Sequence, residues 1–96
     1  MNHAVLIEQN KAAIAALVSN HCAANPRLFG SSVRGLDAEN SDIDILVDAL
    51  PGATLFDLGA LQVELEDLVG APVDLLTPGD IAPAFRRRVL AEAKAI

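Results

Sequence analysis

Three aspartates and a glycine-serine pair are the candidate functional residues of this sequence. Asp42 and Asp44 lie two positions apart in SDIDILV, and Asp74 lies in PVDLLTP. Gly30-Ser31 precedes them in LFGSSVRG. Clustered carboxylates repel one another unless they are protonated or bind a cation. Their oxygen atoms suit Mg²⁺, which takes one or two protein carboxylates together with waters and substrate phosphates.

Two predicted strands would bring these aspartates together. The segment Asp42 to Asp48 alternates in the manner of a strand, in which side chains two residues apart share a face. Val73 to Thr77 predicts a later strand. The intervening segment, Ala49 to Ala71, contains one helix and is long enough for a crossover, so the two strands can be parallel neighbours. Parallel strands begin at the same end, and Asp74 would then lie beside the aspartate pair.

A glycine-serine turn is predicted at the same corner. Arg27 to Gly30 predicts a first strand, and if it is antiparallel to the second, its end lies beside the start of the second. If Ser31 to Arg34 opens a helical turn, its free N–H groups and the Ser31 hydroxyl face an anion. Arg34 adds a positive charge for phosphate oxygens. Two Mg²⁺ ions about 3.5–4 Å apart can clamp the attacking and leaving oxygens of a phosphoryl-type displacement.

Helices are predicted before and after these strands. The first runs from about Val5 to Ala24 and ends at Asn25-Pro26. The last begins at Asp80 or Pro83.

The middle helix has predicted caps at both ends. Thr54 and Asp57 form a capping box, and Gly70 fits the C-cap. The resulting order is helix, strand, turn, strand, helix, strand, helix. We therefore expect an α+β fold in which helices flank a small mixed sheet of about three strands.

Composition bounds the class of protein. The chain has 96 residues and fits a single domain, 1–96. Its net charge of −6 argues against nucleic acid as the main partner, because that role needs a broad basic face. Cys22 is the only cysteine, which favours a reducing cytoplasm, and no apolar run reaches membrane-spanning length. Arg86, Arg87 and Arg88 form either a solvated helix face or a binding surface.

The quoted motifs carry a resemblance to a known family. LFGSSVRG followed by SDIDILV resembles the Gly-Ser…Asp-x-Asp signature of the DNA polymerase β-like nucleotidyltransferase superfamily. The short chain and the PVDLLTP segment resemble the minimal nucleotidyltransferase (MNT) domain proteins. The match runs from about Asn25 to Ile96, and the family fold is a small mixed sheet with strand order 1-2-3.

The resemblance implies a role for each motif residue. The implied catalytic and metal-binding residues are Asp42, Asp44 and Asp74. The implied nucleotide-binding residues are Gly30, Ser31 and Arg34, the last in an Arg-Gly pair that completes the loop. In this family the third aspartate also activates the attacking hydroxyl.

Members of the family are commonly encoded beside a HEPN-domain ribonuclease, as the antitoxin of a toxin–antitoxin pair. The resemblance implies Mg²⁺-dependent transfer of AMP from ATP to a tyrosine of that toxin. A chain without a second, substrate-binding domain must obtain its acceptor specificity from a partner. Since the chain contains no Tyr, it cannot be its own tyrosine acceptor.

Other interpretations of the sequence remain open. An acidic antitoxin could neutralise a basic ribonuclease by stoichiometric binding without catalysis. Transfer to a small molecule such as an aminoglycoside is a third candidate, although relatives that do this generally carry a second domain. The open edges of a three-stranded sheet would favour either a homodimer or the docking of a partner.

Overall fold

The computed structural model describes residues 3–34 and 42–96 of the chain. Its strands form one sheet of order β3-β2-β1-β4. They are β1 (Ala23–Leu28), β2 (Ile43–Ala49), β3 (Val73–Leu76) and β4 (Lys94–Ala95). β2 is parallel to β3 and antiparallel to β1, which is antiparallel to β4. The predicted α+β class and the order 1-2-3 are confirmed, with a fourth strand added at the β1 edge.

The helices of the described residues cover the sheet and connect its strands. They are α1 (His3–Gln9), α2 (Lys11–Asn20), α3 (Ser31–Arg34), α4 (Leu55–Val69) and α5 (Pro83–Glu92), with a 3-10 turn at Pro78–Asp80. α4 is the crossover between β2 and β3, as predicted. Within residues 3–34 and 42–96, no helix combines the length and the apolar character needed to cross a membrane.

The core lies between the sheet and the long helices. Ile43, Ile45 and Val47 point from β2 into this core and are fully buried. The helices contribute Ile7, Ile14, Val18, Leu61, Leu65 and Val69. Because every second side chain of β2 is anchored in the core, the side chains of the residues between Ile43, Ile45 and Val47 lie on the opposite face of the sheet.

The predicted first helix, Val5 to Ala24, is wrong in two respects. It consists of two helices separated at Asn10, and the second ends at Asn20. The Asn10 side-chain amide donates to the carbonyl oxygen of Leu6 at 2.8 Å, and so competes with the backbone for a helical acceptor. Cys22 has a φ of +56°, a conformation that no α-helix contains.

The first strand is shifted from its predicted position. β1 begins before the predicted Arg27 and ends at Leu28. Asn25 and Pro26, expected to end a helix, lie within the strand, where its register with β2 shifts. Proline is tolerated at such a bulge because it has no N–H to donate to the ladder. The carboxylate of Asp48 stabilises the bulge, accepting from the Asn25 amide at 2.7 Å and from the Arg27 guanidinium at 2.9 Å.

The predicted caps of α4 are confirmed. The Thr54 hydroxyl accepts from the Asp57 N–H at 3.2 Å, and the Asp57 carboxylate accepts from the Thr54 N–H at 2.8 Å. Gly70 ends the helix with a φ of +71°.

We expect Thr54→Ala to lower the free energy of unfolding by about 1 kcal/mol, because it removes the side-chain half of this capping box. Urea unfolding followed by circular dichroism measures the change. Asp67→Asn, an exposed position near the C-terminal end of α4, is the control and should change stability by less than about 0.5 kcal/mol. Equal losses in both variants would contradict the assignment of the cap.

Candidate active site

Two of the predicted carboxylates lie opposite each other on neighbouring strands. β2 pairs with β3 in the register Asp44↔Asp74, and residues paired in this way present their side chains on the same face of a sheet. Asp44 is half-buried and Asp74 is exposed. Asp42 is exposed and lies directly before the start of β2. The parallel crossover therefore brings these strand starts to one corner of the sheet, as the sequence predicted.

The glycine-serine turn lies against Asp44. The Phe29 N–H donates to the Asp44 carbonyl oxygen at 3.1 Å, so the antiparallel pairing of β1 with β2 continues to the turn. Gly30 has a φ of +61°, and a Cβ at this position would lie 2.8 Å from Asp44 Oδ2. The Ser31 hydroxyl donates to that same carboxylate oxygen at 3.3 Å. The positive φ favours glycine here, and any side chain would also force the Asp44 carboxylate to move.

α3 begins at Ser31, as predicted for a helical turn after the strand. Arg34 is the last residue of α3. The expected contact of its side chain with phosphate, together with Gly35, lies outside the described residues.

The negative charges at this corner affect one another. Burial is the main cause that raises the pKa of Asp44, and the Ser31 hydrogen bond opposes it. The charges of Asp74 and Asp42 raise this pKa further, whereas the nearby His3 lowers it. An ionised Asp44 is therefore disfavoured in the ligand-free protein, and a bound cation would remove that cost.

The donor atoms fit a hard divalent cation, but they do not form a finished metal site. In the part of the chain that the structure describes, no three side chains of Asp, Glu, His or Cys are close enough together to hold a metal ion. The carboxylates of Asp42, Asp44 and Asp74 thus lie at the same corner but are not arranged around one metal position. Their carboxylate oxygens are the ligands that Mg²⁺ prefers, with its remaining positions filled by water and substrate phosphates.

Two residues that sequence reasoning left without a role lie directly beneath this corner. The buried Ser32 hydroxyl accepts from the Asp44 N–H at 3.0 Å and lies 3.0 Å from the Nδ1 atom of His3, which is also buried. No motif links two residues 29 positions apart, and only the packing of α1 against α3 brings them together.

The arginines of α5 differ from one another in their contacts. Arg86 donates to the carbonyl oxygens of Pro78 at 2.7 Å and Ile81 at 3.1 Å, which ties α5 to the 3-10 turn after β3. Arg88 pairs with Glu92 on the exposed face of the helix, and Arg87 is exposed. Arg86 is therefore a structural residue, neither a solvated charge nor part of an open basic patch.

Most of the chain matches a known protein family. Residues 14–96 match the sequence profile of the family described as the nucleotidyltransferase domain. The chain belongs to this family and is, by homology, a nucleotidyltransferase of the minimal kind, as the motifs predicted.

Two relatives that are similar to this chain are named as adenylyltransferases. A Methanocaldococcus jannaschii protein with the provisional name protein adenylyltransferase is 40% identical over 87 residues, which cover 91% of this chain and 94% of the relative. Protein adenylyltransferase MntA of Thermococcus cleftensis is 40% identical over 65 residues, covering 68% of this chain and 66% of MntA.

Among solved structures, one described provisionally as a minimal nucleotidyltransferase has a TM-score of 0.83 at 38% identity, over 100% of this chain and 95% of the other. A toxin–antitoxin crystal structure with AMP-PNP has a TM-score of 0.73 at 26% identity, over 90% of this chain and 71% of the other.

Proposed function

We propose that this protein is a Mg²⁺-dependent protein adenylyltransferase. In this proposal it transfers AMP from ATP to a hydroxyl, a tyrosine, of a HEPN-type ribonuclease toxin, and acts as the antitoxin. The observation that carries the proposal is the corner where the Ser31 hydroxyl donates to Asp44 beside Gly30, with Asp74 paired to Asp44 on the next strand. The adenylyltransferase names of its relatives support the choice of nucleotide, and the toxin–antitoxin structure with AMP-PNP supports the choice of partner.

In this proposal the glycine-serine turn binds the triphosphate of ATP, and the carboxylates bind its metal ions. Gly30, Ser31 and Arg34 would hold the triphosphate. Asp42, Asp44 and Asp74 would together hold two Mg²⁺ ions, which, when bound, neutralise charge on the phosphates. Ser31 already contacts Asp44, so the same turn can contact phosphate and orient a carboxylate. We place this work in one domain, residues 1–96, in the cytoplasm, where ATP is available.

The acceptor hydroxyl is activated by Asp74 in this proposal. Asp74 is exposed at the start of β3, where a hydroxyl from a second protein can reach it. The carboxylate takes the proton of the acceptor hydroxyl, whose oxygen forms a bond to the α-phosphorus of ATP. The bond between that phosphorus and the bridging oxygen breaks, and pyrophosphate leaves. Such catalysis depends mostly on positioning and charge stabilisation.

Intact-mass measurement tests this function. The purified protein is mixed with its genomically adjacent toxin, MgCl₂ and each nucleoside triphosphate in turn, and both chains are weighed. We expect the toxin to gain the mass of AMP with ATP, and Asp42→Asn to abolish the gain. Fragmentation of the modified chain then identifies the acceptor. A toxin whose mass stays unchanged, in a stable complex with this protein, would contradict the proposal.

That outcome would favour a second candidate, neutralisation by binding alone. Leu55 and Phe56, in the first turn of α4, are 86% and 88% exposed, and Phe85 of α5 is 61% exposed. Large exposed apolar side chains can pack against a partner protein. The net charge of −6 favours a partner whose surface is basic. Under this candidate, Asp42→Asn and Asp74→Asn still protect cells from the toxin. Loss of protection excludes it.

A further inference from the structure

The Asp44 backbone is held by a side chain rather than by a regular strand ladder. In an antiparallel ladder, the residues of a hydrogen-bonded pair exchange both N–H···O bonds. The Phe29 N–H donates to the Asp44 carbonyl oxygen, while the Asp44 N–H donates to the Ser32 hydroxyl oxygen at 3.0 Å. At Gly30, where the chain leaves the ladder, the Ser32 hydroxyl therefore replaces a backbone carbonyl as the acceptor of the Asp44 N–H. This hydrogen bond fixes the backbone of Asp44.

The Ser32 hydroxyl is held in turn by His3. The Nδ1 atom of His3 lies 3.0 Å from the Ser32 oxygen, and each residue is only 3% exposed. A buried hydroxyl can rotate among several acceptors, and a second hydrogen bond selects one orientation. Buried polar side chains are unfavourable unless they are hydrogen-bonded, and this contact supplies one such bond to each of them. The first residue of α1 thereby connects to Asp44 through one intervening side chain.

We propose that His3 is a positioning residue of the active site, which acts through the Ser32 hydroxyl to hold Asp44 in place for metal-dependent nucleotide transfer. The inference rests on the proposed function of this site. Partners that orient metal-binding side chains typically contribute 10- to 100-fold to metal affinity or activity. His3 touches neither substrate nor reacting atoms in this proposal. It acts on the site through the placement of Asp44, and its charge also lowers the pKa of that carboxyl.

Two substitutions at His3 separate the hydrogen bond from the packing. His3→Leu introduces an apolar side chain of similar reach and removes the contact with Ser32. His3→Asn keeps a polar atom near the position of Nδ1. We expect His3→Leu to lower kcat for AMP transfer about tenfold or more and to raise by a similar factor the Mg²⁺ concentration at half-maximal rate. We expect His3→Asn to restore most of both.

Amide hydrogen exchange at Asp44, followed by NMR, provides a readout that does not depend on activity. His3→Leu and Ser32→Ala should both accelerate exchange of the Asp44 N–H, because each weakens or removes its acceptor. Ile7→Ala is the control on α1, since Ile7 is equally buried in the core and its aliphatic side chain has no polar atom with which to hydrogen-bond Ser32. It should lower the melting temperature while leaving kcat and Asp44 exchange unchanged at a temperature where the variant is folded.

The outcomes separate this inference from the proposed function. If His3→Leu exposes the Asp44 N–H and full transfer persists, the positioning role is wrong and the transferase assignment stands. If Ile7→Ala lowers kcat as much as His3→Leu, the effect is one of general stability, and the positioning role is again wrong. If the wild-type protein transfers no AMP, the proposed function fails, whatever the exchange experiment gives.

Discussion

Asp44→Asn is expected to reduce nucleotide transfer severely while raising the melting temperature of the ligand-free protein at neutral pH. Burial, together with the charges of Asp74 and Asp42, raises the pKa of Asp44 above its ordinary value of 3.8. The folded state therefore disfavours the ionised carboxylate, and the neutral amide of Asn removes that cost. Transfer should fall by about 10²- to 10³-fold, the loss typical when one preorganised electrostatic group is removed.

The sign of the pH dependence follows from the raised pKa. A carboxyl whose pKa is higher in the folded than in the unfolded protein contributes stability that is fully present below 3.8. That contribution is lost as the pH rises through the folded-state pKa. The melting temperatures of wild type and Asp44→Asn should therefore differ most at neutral pH and converge in acid. They are measured by calorimetry without nucleotide or metal, beside the initial transfer rate.

Asp67→Asn is the matched control, because it removes the charge of an exposed aspartate on α4, outside the candidate site. It should leave both the rate and the pH dependence of melting at wild-type values. An Asp44→Asn variant that is less stable than wild type at neutral pH, or that transfers at the full rate, would contradict this view of the site.

Gly30→Ala should cause the second large loss of activity. The added Cβ would lie 2.8 Å from Asp44 Oδ2, too close for the carboxylate to keep its position. The φ of +61° adds strain of about 1–2 kcal/mol for a residue with a side chain. We expect transfer to fall by about 10²-fold as the carboxylate moves from the Ser31 hydroxyl, comparable to the loss of one electrostatic group.

Gly70→Ala separates the effect of backbone strain from the effect of displacing the Asp44 carboxylate. Gly70 has a similar φ of +71°, but a Cβ there would meet no atom within 4 Å. The variant should lose a comparable free energy of unfolding, measured by urea titration, and keep its transfer rate. Equal loss of activity in both variants would mean that backbone strain, and not the displaced carboxylate, explains the effect of Gly30→Ala.

The sequence predicted the parts of the fold that local patterns determine. The alternation along β2, the Thr54 capping box and the Gly70 cap are encoded within a few residues, and the crossover follows from the length of the segment that contains α4. The corner where Asp44 and Asp74 meet follows from that crossover.

The wrong or missing predictions concern segments whose conformation depends on contacts between residues that are distant in the sequence. The bulge at Asn25 depends on Asp48 in the neighbouring strand, so a dipeptide that locally resembles a helix end lies in β1. β4 is too short to show any periodicity and exists only through its pairing with β1. His3 is a neighbour of Ser32 only because α1 packs against α3, a contact that no local sequence pattern encodes.

In the proposed function, Asp44 and its neighbours catalyse transfer of the adenylyl group of ATP to a partner protein. The most direct measurement uses ATP radiolabelled at either the α- or the γ-phosphorus, mixed with the adjacent toxin and Mg²⁺, with Asp44→Asn and Asp67→Asn alongside. We expect label from the α position to enter the toxin with wild type and Asp67→Asn, and not with Asp44→Asn. Incorporation from the γ position, or α-label incorporation that persists in Asp44→Asn, would rule out adenylyl transfer at this site.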